Sequence, residues 1–424
     1  MYSGVRPDSD DDLAITRILD RTVYNSRGQK ALEVEITLDG KTGRATAPSG
    51  ASVGKFEASS TPADDRSDPT KSYHTCKRNL IGANAADLKR VNDIMRAADG
   101  TPNYGRLGGD AAYAFSMACI DAAATERGLA FFRMLSDADT FRIPLPLGNI
   151  LGGGAHAGPG TPDIQEILVA PTGSKSIREA VETNLRVHQE LGRVIQKRDP
   201  QFTRGRGDEG GWAPQADNYE ALEMAATACE DLGYTLGREV SLGVDFAAST
   251  QWNGTRYAYD RGGFENSPGE QIEFASDIIT KYKLVYAEDA VHEEAFDEMA
   301  EITKRFPEVL ITGDDLTVTN PSRLQMAIDC NSCNAAILKV NQAGGLWDAM
   351  EFAHLAERSG ISLVTSHRSG ESTESQIVHV GVATGSKFLK VGVLGGERIA
   401  KINEMIRLEE HDLICGLAEV GNHT

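Results

Sequence analysis

The 424-residue sequence predicts an α/β protein in which a (β/α)8-like barrel follows an N-terminal α+β capping domain. Three observations carry that expectation. Strand-like segments come first and helical ones follow within the opening 140 residues. From Pro144 onward, short apolar runs alternate with helical segments at a nearly constant step. Each of those runs ends in a carboxylate, a lysine or a histidine, and in parallel barrels the C-terminal strand ends share one mouth.

Taken in order, residues 12–47 read as strands. LAITRILDRTVYNS precedes ALEVEITLDGKTGRATA, whose alternation and Asp39-Gly40 dipeptide predict a hairpin or small meander. SSTPADDRSDPTKS (59–72) reads as a loop. Ala-rich segments at 83–98 and 109–128 have helical spacing, with a glycine-containing break between them. The capping domain therefore spans 1–140, and the catalytic barrel domain spans 141–424.

In the second part the runs are VSLGVDFAAS, KLVYAEDAV, VLITGDDLTVTN, AAILKVNQ, SLVTSHRSGE and KFLKVGV. Their charged positions are Asp245, Glu288, Asp314, Lys339, His367 and Lys390. After a longer first gap, the steps are 26, 25, 28 and 23 residues, the length of one strand-plus-helix unit. That period predicts a parallel barrel.

Composition narrows the function classes. With 62 acidic against 43 basic residues and a formal charge of -19, the chain lacks the basic face a nucleic-acid binder needs. No apolar run approaches the roughly 18–20 residues of a membrane-spanning helix. The polar, acidic start MYSGVRPDSDDDL is neither a signal nor a transit peptide. Six scattered cysteines fit reduced thiols, so a cytoplasmic location is expected. Cys330-Asn-Ser-Cys333 has no second pair nearby to complete a zinc site, and it reads as packing.

Two glycine-rich stretches imitate nucleotide motifs and fail. SGASVGKF (49–56) has Ser49 at the first glycine position of a P-loop, and Phe56 replaces the magnesium-binding hydroxyl. GGGAHA (152–157) is followed by Pro159 and Pro162, which forbid the helix a dinucleotide site needs. Both stretches read instead as loops that close over a ligand.

Asp245, Glu288 and Asp314 at successive strand ends are the hard oxygen ligands that Mg²⁺ prefers. Lys339, His367-Arg368-Ser369 and Lys390 come next in order, and a metal, a lysine base and an anion clamp together suit abstraction of a weakly acidic proton next to a carboxylate. Beside these stand SRG (26–28), PSGAS (48–52), GGAHA (153–157), DIQE (163–166) and GDEGGWAP (207–214). VDFAAS (244–249), ED (288–289), GDDLTVTNP (313–321), LKVNQ (338–342), SHRSGE (366–371) and RLEE (407–410) follow in order. Over nearly the whole chain, this series resembles the enolase family.

The resemblance implies an enolase-type barrel and the dehydration of 2-phosphoglycerate to phosphoenolpyruvate, with two Mg²⁺ ions per site. It implies that Asp245, Glu288 and Asp314 hold the first ion and that Ser52 helps bind the second. Lys339 would take the C2 proton, and Glu209, supported by Glu166, would assist departure of the C3 hydroxyl. Lys390 would contact the substrate carboxylate, and Arg368 with Ser369 the phosphate. Gln165, within DIQE, is implied in substrate binding, and His156 and His367 would complete the closed site. A homodimer, or a larger assembly of dimers, is also implied, with Arg27 meeting Glu409 or Glu410 across a two-fold interface. The small phosphorylated substrate would be the only other partner, with no nucleic acid or membrane.

Departures from the family pattern fall on loops and on the capping domain. SRGQKA (26–31) stands where the family has SRGNPT, and Gly152 replaces the asparagine of NGG. Ser52 is followed by Val53-Gly54-Lys55-Phe56, and TPADDRSD (61–68) and VLGGER (393–398) also differ. These leave open an alternative substrate, a related phosphorylated or phosphonylated hydroxy acid.

Overall fold

The computed structural model describes residues 13–50, 54–60 and 69–420. Ser52 and TPADDRSD (61–68) lie outside the described residues.

The opening strands form an antiparallel meander, β1 (Arg17–Tyr24), β2 (Lys30–Thr37) and β3 (Thr42–Thr46). Asn25 sets the first turn, because its Oδ1 accepts the N–H groups of Arg27 and Gln29, both at 3.0 Å. Three helices follow: α1 (Pro69–Leu80), α2 (Leu88–Asp99) and α3 (Gly109–Arg127). α1 starts inside the stretch expected to be a loop. Its apolar signal is thin: among its residues whose side chains are described, Cys76 and Leu80 alone are fully buried. α2 begins at Leu88, not at residue 83, because residues 83–87 are used differently. Ala85 donates to the Leu13 carbonyl at 2.9 Å, Asn84 Oδ1 accepts from Ala86, and Asp87 then caps Arg90 N–H at 2.9 Å.

The barrel domain opens with β4 (Phe141–Ile143), β5 (Leu145–Gly152) and β6 (Glu166–Ala170). Helices α4 (Ile177–Arg198) and α5 (Asn218–Asp231) lead to β7 (Ser241–Asp245). A small hairpin, β8 (Tyr257–Tyr259) and β9 (Phe264–Asn266), precedes α6 (Pro268–Lys281) and β10 (Tyr286–Glu288). That hairpin accounts for the long first gap in the charge period. Regular alternation follows: α7 (Phe296–Arg305), β11 (Leu310–Gly313), α8 (Pro321–Cys330), β12 (Ala335–Leu338), then α9 (Val340–Ala343) and α10 (Leu346–Arg358). β13 (Ser362–Ser366), α11 (Gln376–Ala383), β14 (Phe388–Gly392), α12 (Gly396–Leu408) and β15 (Ile414–Leu417) finish the chain, with β15 pairing with β4.

The barrel closes in the order β5-β6-β7-β10-β11-β12-β13-β14, with β14 returning to β5. It is not wholly parallel, although the period of the charged positions predicts a parallel barrel. β6 runs antiparallel to both β5 and β7. A parallel neighbour needs a crossover of a dozen or more residues, usually a helix. Residues 153–165 contain only a three-residue helical turn, Gly154–His156, and carry Pro159 and Pro162, so they close a hairpin. Of the CxxC pair, Cys333 packs in the core as expected, whereas Cys330 is exposed at the end of α8.

One apolar cluster runs from β2 and α3 into β12 and α10, so the capping domain and the barrel share a core. Polar contacts align it: Leu346 N–H donates to Ser116 Oγ at 3.0 Å, and Tyr104 Oη donates to Asp348 at 3.0 Å. β3 crosses α3 so closely that a Cβ on Gly43 would lie 1.9 Å from the Ala122 nitrogen. Gly43→Ala should therefore lower stability by about 1–3 kcal/mol through overpacking. Urea unfolding checks this, and the activity of the folded fraction should be unchanged.

Candidate active site

Strand register assembles the charged mouth. Glu166 lies beside Asp245, and Asp245 beside Glu288, across adjacent strands. Glu288 pairs in turn with Thr312, and Asp314 follows two residues later, on the same side of its strand direction. Lys339 follows the last residue of β12, and Lys390 pairs with Ser366, immediately before His367. Among the described residues, Glu166, Asp245, Glu288, Asp314, Lys339 and Lys390 thus come from six strands of one barrel.

Two ammonium groups hold these carboxylates together. Lys390 Nζ lies 2.6 Å from Glu288 Oε2, 2.8 Å from Asp245 Oδ2 and 3.4 Å from Glu166 Oε1. Lys339 Nζ pairs with Asp314 Oδ2, and Gln342 donates to the other oxygen at 2.9 Å. Burial opposes charge on both sides of this second pair. The pairing prevails, holding Lys339 above its usual value and Asp314 down to about 2. Burial and the neighbouring Asp245 raise the Glu288 carboxyl well above the carboxylate range. Asp289, which sequence reasoning matched but gave no role, accepts the backbone N–H groups of Asp314 at 3.0 Å and Asp315 at 2.7 Å. It fixes the turn that presents Asp314.

The donor set fits a hard divalent cation. Glu288, Asp289 and Asp314 each offer an oxygen within 4.8 Å of one another. Glu288 Oε1 is buried without a hydrogen-bond partner among the described residues. Gln165, expected to contact substrate, donates to Asp245 Oδ2 at 3.2 Å, and its own Oε1 has no hydrogen-bond partner among the described residues.

Glu209 enters from the loop between α4 and α5, where backbones touch. A Cβ on Gly392 would meet the Glu209 carbonyl oxygen at 1.9 Å, and one on Gly210 (φ +84°) would meet that of Leu394 at 2.3 Å. Glu209 Oε2 lies 3.0 Å from His367 Nε2 and accepts from Asn149 Nδ2 at 3.3 Å. His156 sits between acids, its Nδ1 3.2 Å from Glu166 Oε1 and 3.8 Å from Glu209 Oε1. Burial works against a charged His156, yet Glu209 and Glu166 raise it to about 9. Burial and Glu209 raise the Glu166 carboxyl. For Glu209 burial is outweighed by His367 and His156, which hold its carboxyl below the usual range.

Arg368 and Ser369 line the same cleft. Arg368 Nη1 meets Glu57 Oε2 at 3.2 Å and Asn341 Oδ1 at 3.1 Å, while Ser369 Oγ is buried without a partner among the described residues. Glu57, missed in the sequence, belongs to the segment after Ser52. Its neighbour Phe56 lies under the Arg323 guanidinium at 4.1 Å. The loop's start is pinned as well, since Ser49 and Gly370 exchange both backbone hydrogen bonds at 2.8 Å. Arg398 also went unnoticed, because a single arginine early in a helix gives no periodic cue.

Comparison with known proteins agrees with this geometry. A family profile described as "Enolase, N-terminal domain" matches residues 15–135, and one described as "Enolase, C-terminal TIM barrel domain" matches residues 140–418. The chain is 41% identical to the enolase of Methanosphaera stadtmanae over 96% of its own length and all of the relative's. It is 42% identical to the enolase of Methanothermobacter thermautotrophicus, covering 94% of this chain and 96% of that one. The enolase of Halobacterium salinarum is 41% identical, over 92% of this chain and 97% of the relative. With barrel, capping domain and charged mouth all in place, the chain belongs to the enolase family.

Proposed function

We infer that this protein is a carbon–oxygen lyase that dehydrates 2-phosphoglycerate to phosphoenolpyruvate. One observation carries the reading. A lysine paired with one carboxylate (Lys339 with Asp314) and a separate carboxyl among imidazoles (Glu209) face the same cleft. A two-step elimination needs such a base and such an acid, each with its own surroundings. We take residues 1–140 as the cap and 141–424 as the catalytic domain. The protein is taken to act in the cytoplasm; no helix among the described residues is long and apolar enough to cross a membrane.

In this reading Lys339 removes the C2 proton, and the electron pair passes into the substrate carboxylate. Lys390 lies against that carboxylate, and Arg368 with the unpartnered Ser369 hydroxyl holds the phosphate. Gln165 steadies Asp245 and offers its free carbonyl oxygen to the substrate. Glu209, held ionised by His367 and His156, first takes up a proton from solvent, and the C3–O bond then breaks as it passes that proton to the departing hydroxyl, which leaves as water. Glu166 and His156 flank Glu209 and keep its proton supply local. Asp245, Glu288 and Asp314 would hold one Mg²⁺ and Ser52 would help bind a second, and the bound ions would supply the positive charge that makes a proton beside a carboxylate removable.

The test is proton NMR of 2-phosphoglycerate in heavy water with Mg²⁺, alongside the absorbance rise of phosphoenolpyruvate. Lys339→Ala should lose both C2 hydrogen exchange and product. Glu209→Gln should lose product yet keep exchange, because the acid acts only after the proton has left. Exchange by Lys339→Ala, with none by Glu209→Gln, would reverse the two roles.

Arg368→Ala should weaken binding of 2-phosphoglycerate by about 2–5 kcal/mol, as for truncation of a buried charge pair. It also strands Glu57, so stability should fall. Adding Glu57→Ala should restore stability without restoring affinity, as read by thermal melting and binding calorimetry.

We further propose a homodimer or an assembly of dimers. Within the chain, Arg27 Nε lies 3.4 Å from Asp208 Oδ2, and Glu409 Oε1 accepts the Ile177 N–H at 2.6 Å. Across a two-fold axis Arg27 would meet Glu409, through its second carboxylate oxygen, or Glu410. Light scattering at micromolar protein should give at least twice the chain mass, and a monomeric mass would overturn the assignment.

A further inference from the structure

Arg398 is fully buried in the first turn of α12, and no step above uses it. Its terminal N–H groups meet four acceptors. Nη1 donates to His367 Nδ1 at 2.7 Å and to the Arg368 carbonyl at 2.6 Å. Nη2 donates to the Ser369 carbonyl at 2.7 Å and to the Asp208 carbonyl at 3.4 Å.

A guanidinium has no acceptor to offer and keeps its protons in proteins. His367 Nδ1 is therefore the accepting nitrogen, and the ring's single proton sits on Nε2, 3.0 Å from Glu209 Oε2. Protonating the ring would set one N–H against another across that 2.7 Å contact. Burial, with Arg398 nearby, lowers His367 to about 4, in the same sense. Glu209 Oε2 then has His367 Nε2 at 3.0 Å and accepts a hydrogen bond from Asn149 Nδ2 at 3.3 Å. Oε1, with His156 Nδ1 no nearer than 3.8 Å, accepts no hydrogen bond among the described residues and is the oxygen that can carry a proton.

We propose that Arg398 is a positioning residue for the acid step: by fixing the tautomer of His367 it directs the transferable proton to Oε1 of Glu209. Through the carbonyls of Asp208, Arg368 and Ser369 it also holds the acid loop and the phosphate segment in one register. This inference rests on the reading of Glu209 as the acid.

Two measurements test it. In the parent enzyme labelled with nitrogen-15 histidine, His367, assigned by the loss of its signals in His367→Gln, should appear as the neutral Nε2–H tautomer between pH 6 and 8. An Nδ1–H tautomer or an imidazolium would overturn the proposal without any variant of Arg398 having to fold. In Arg398→Lys, one nitrogen cannot reach His367 and three carbonyls together. The ratio of C2 exchange to product formation should therefore rise roughly tenfold or more, within the roughly 100- to 10,000-fold a positioned acid contributes. An equal fall in exchange and product, with a lowered melting temperature, would make Arg398 purely structural and defeat the proposal. If Glu209→Gln itself loses exchange, the acid assignment has failed, and the tautomer measurement still decides the Arg398–His367 contact.

Discussion

Mutual repulsion among buried carboxylates governs how this barrel mouth is built. Glu166, Asp245, Glu288, Asp289 and Asp314 are all buried within one ring of strand ends. Isolated charges in such a place would be strongly unfavourable, so each needs a cation or several N–H donors. Lys390 serves three of them, Lys339 serves Asp314, and two backbone amides serve Asp289. Two ammonium groups do not offset five carboxyls, and burial with mutual repulsion raises those of Glu166, Glu288 and Asp289. A divalent cation entering among Asp245, Glu288 and Asp314 would take over part of the neutralisation and release lysine for chemistry.

The same logic extends to the loop from the capping domain. Glu57 reaches across to Arg368 and, through Gln342 at 3.4 Å, toward Asp314. The segment that follows Ser52 is thus wired both to Arg368 and to Asp314. The shared apolar core below supplies a rigid base for these contacts. A cap that floated freely could not hold a carboxylate at hydrogen-bond distance from a barrel residue.

What the sequence made legible was whatever lies locally along the chain. A charge ending an apolar run is a linear signal, and so Asp245, Glu288, Asp314, Lys339 and Lys390 could be picked out. Glu209 sits in a loop with no periodicity, and only the resemblance of GDEGGWAP pointed to it. Asp289, Glu57 and Arg398 act through contacts distant in sequence, which no local pattern encodes. The reversed strand escaped notice for a related reason. The first charged position in the period is Asp245, so the region of β5 and β6 offered no step to compare. α1 was hidden by a polar stretch whose few buried side chains resemble a loop's.

The reversal of β6 has a consequence for how the site can vary. In a fully parallel barrel, the connection after β5 would run down the outside as a helix, far from the chemistry. Here it turns back at the mouth, so that residues 153–165, with His156, overhang the cleft and β6 presents Glu166 by its first residue instead of its last. The barrel wall constrains only the two ends of that hairpin. Its length and composition can drift while the strands beneath keep their register, which makes this one connection a natural place for related sequences to alter what the pocket admits.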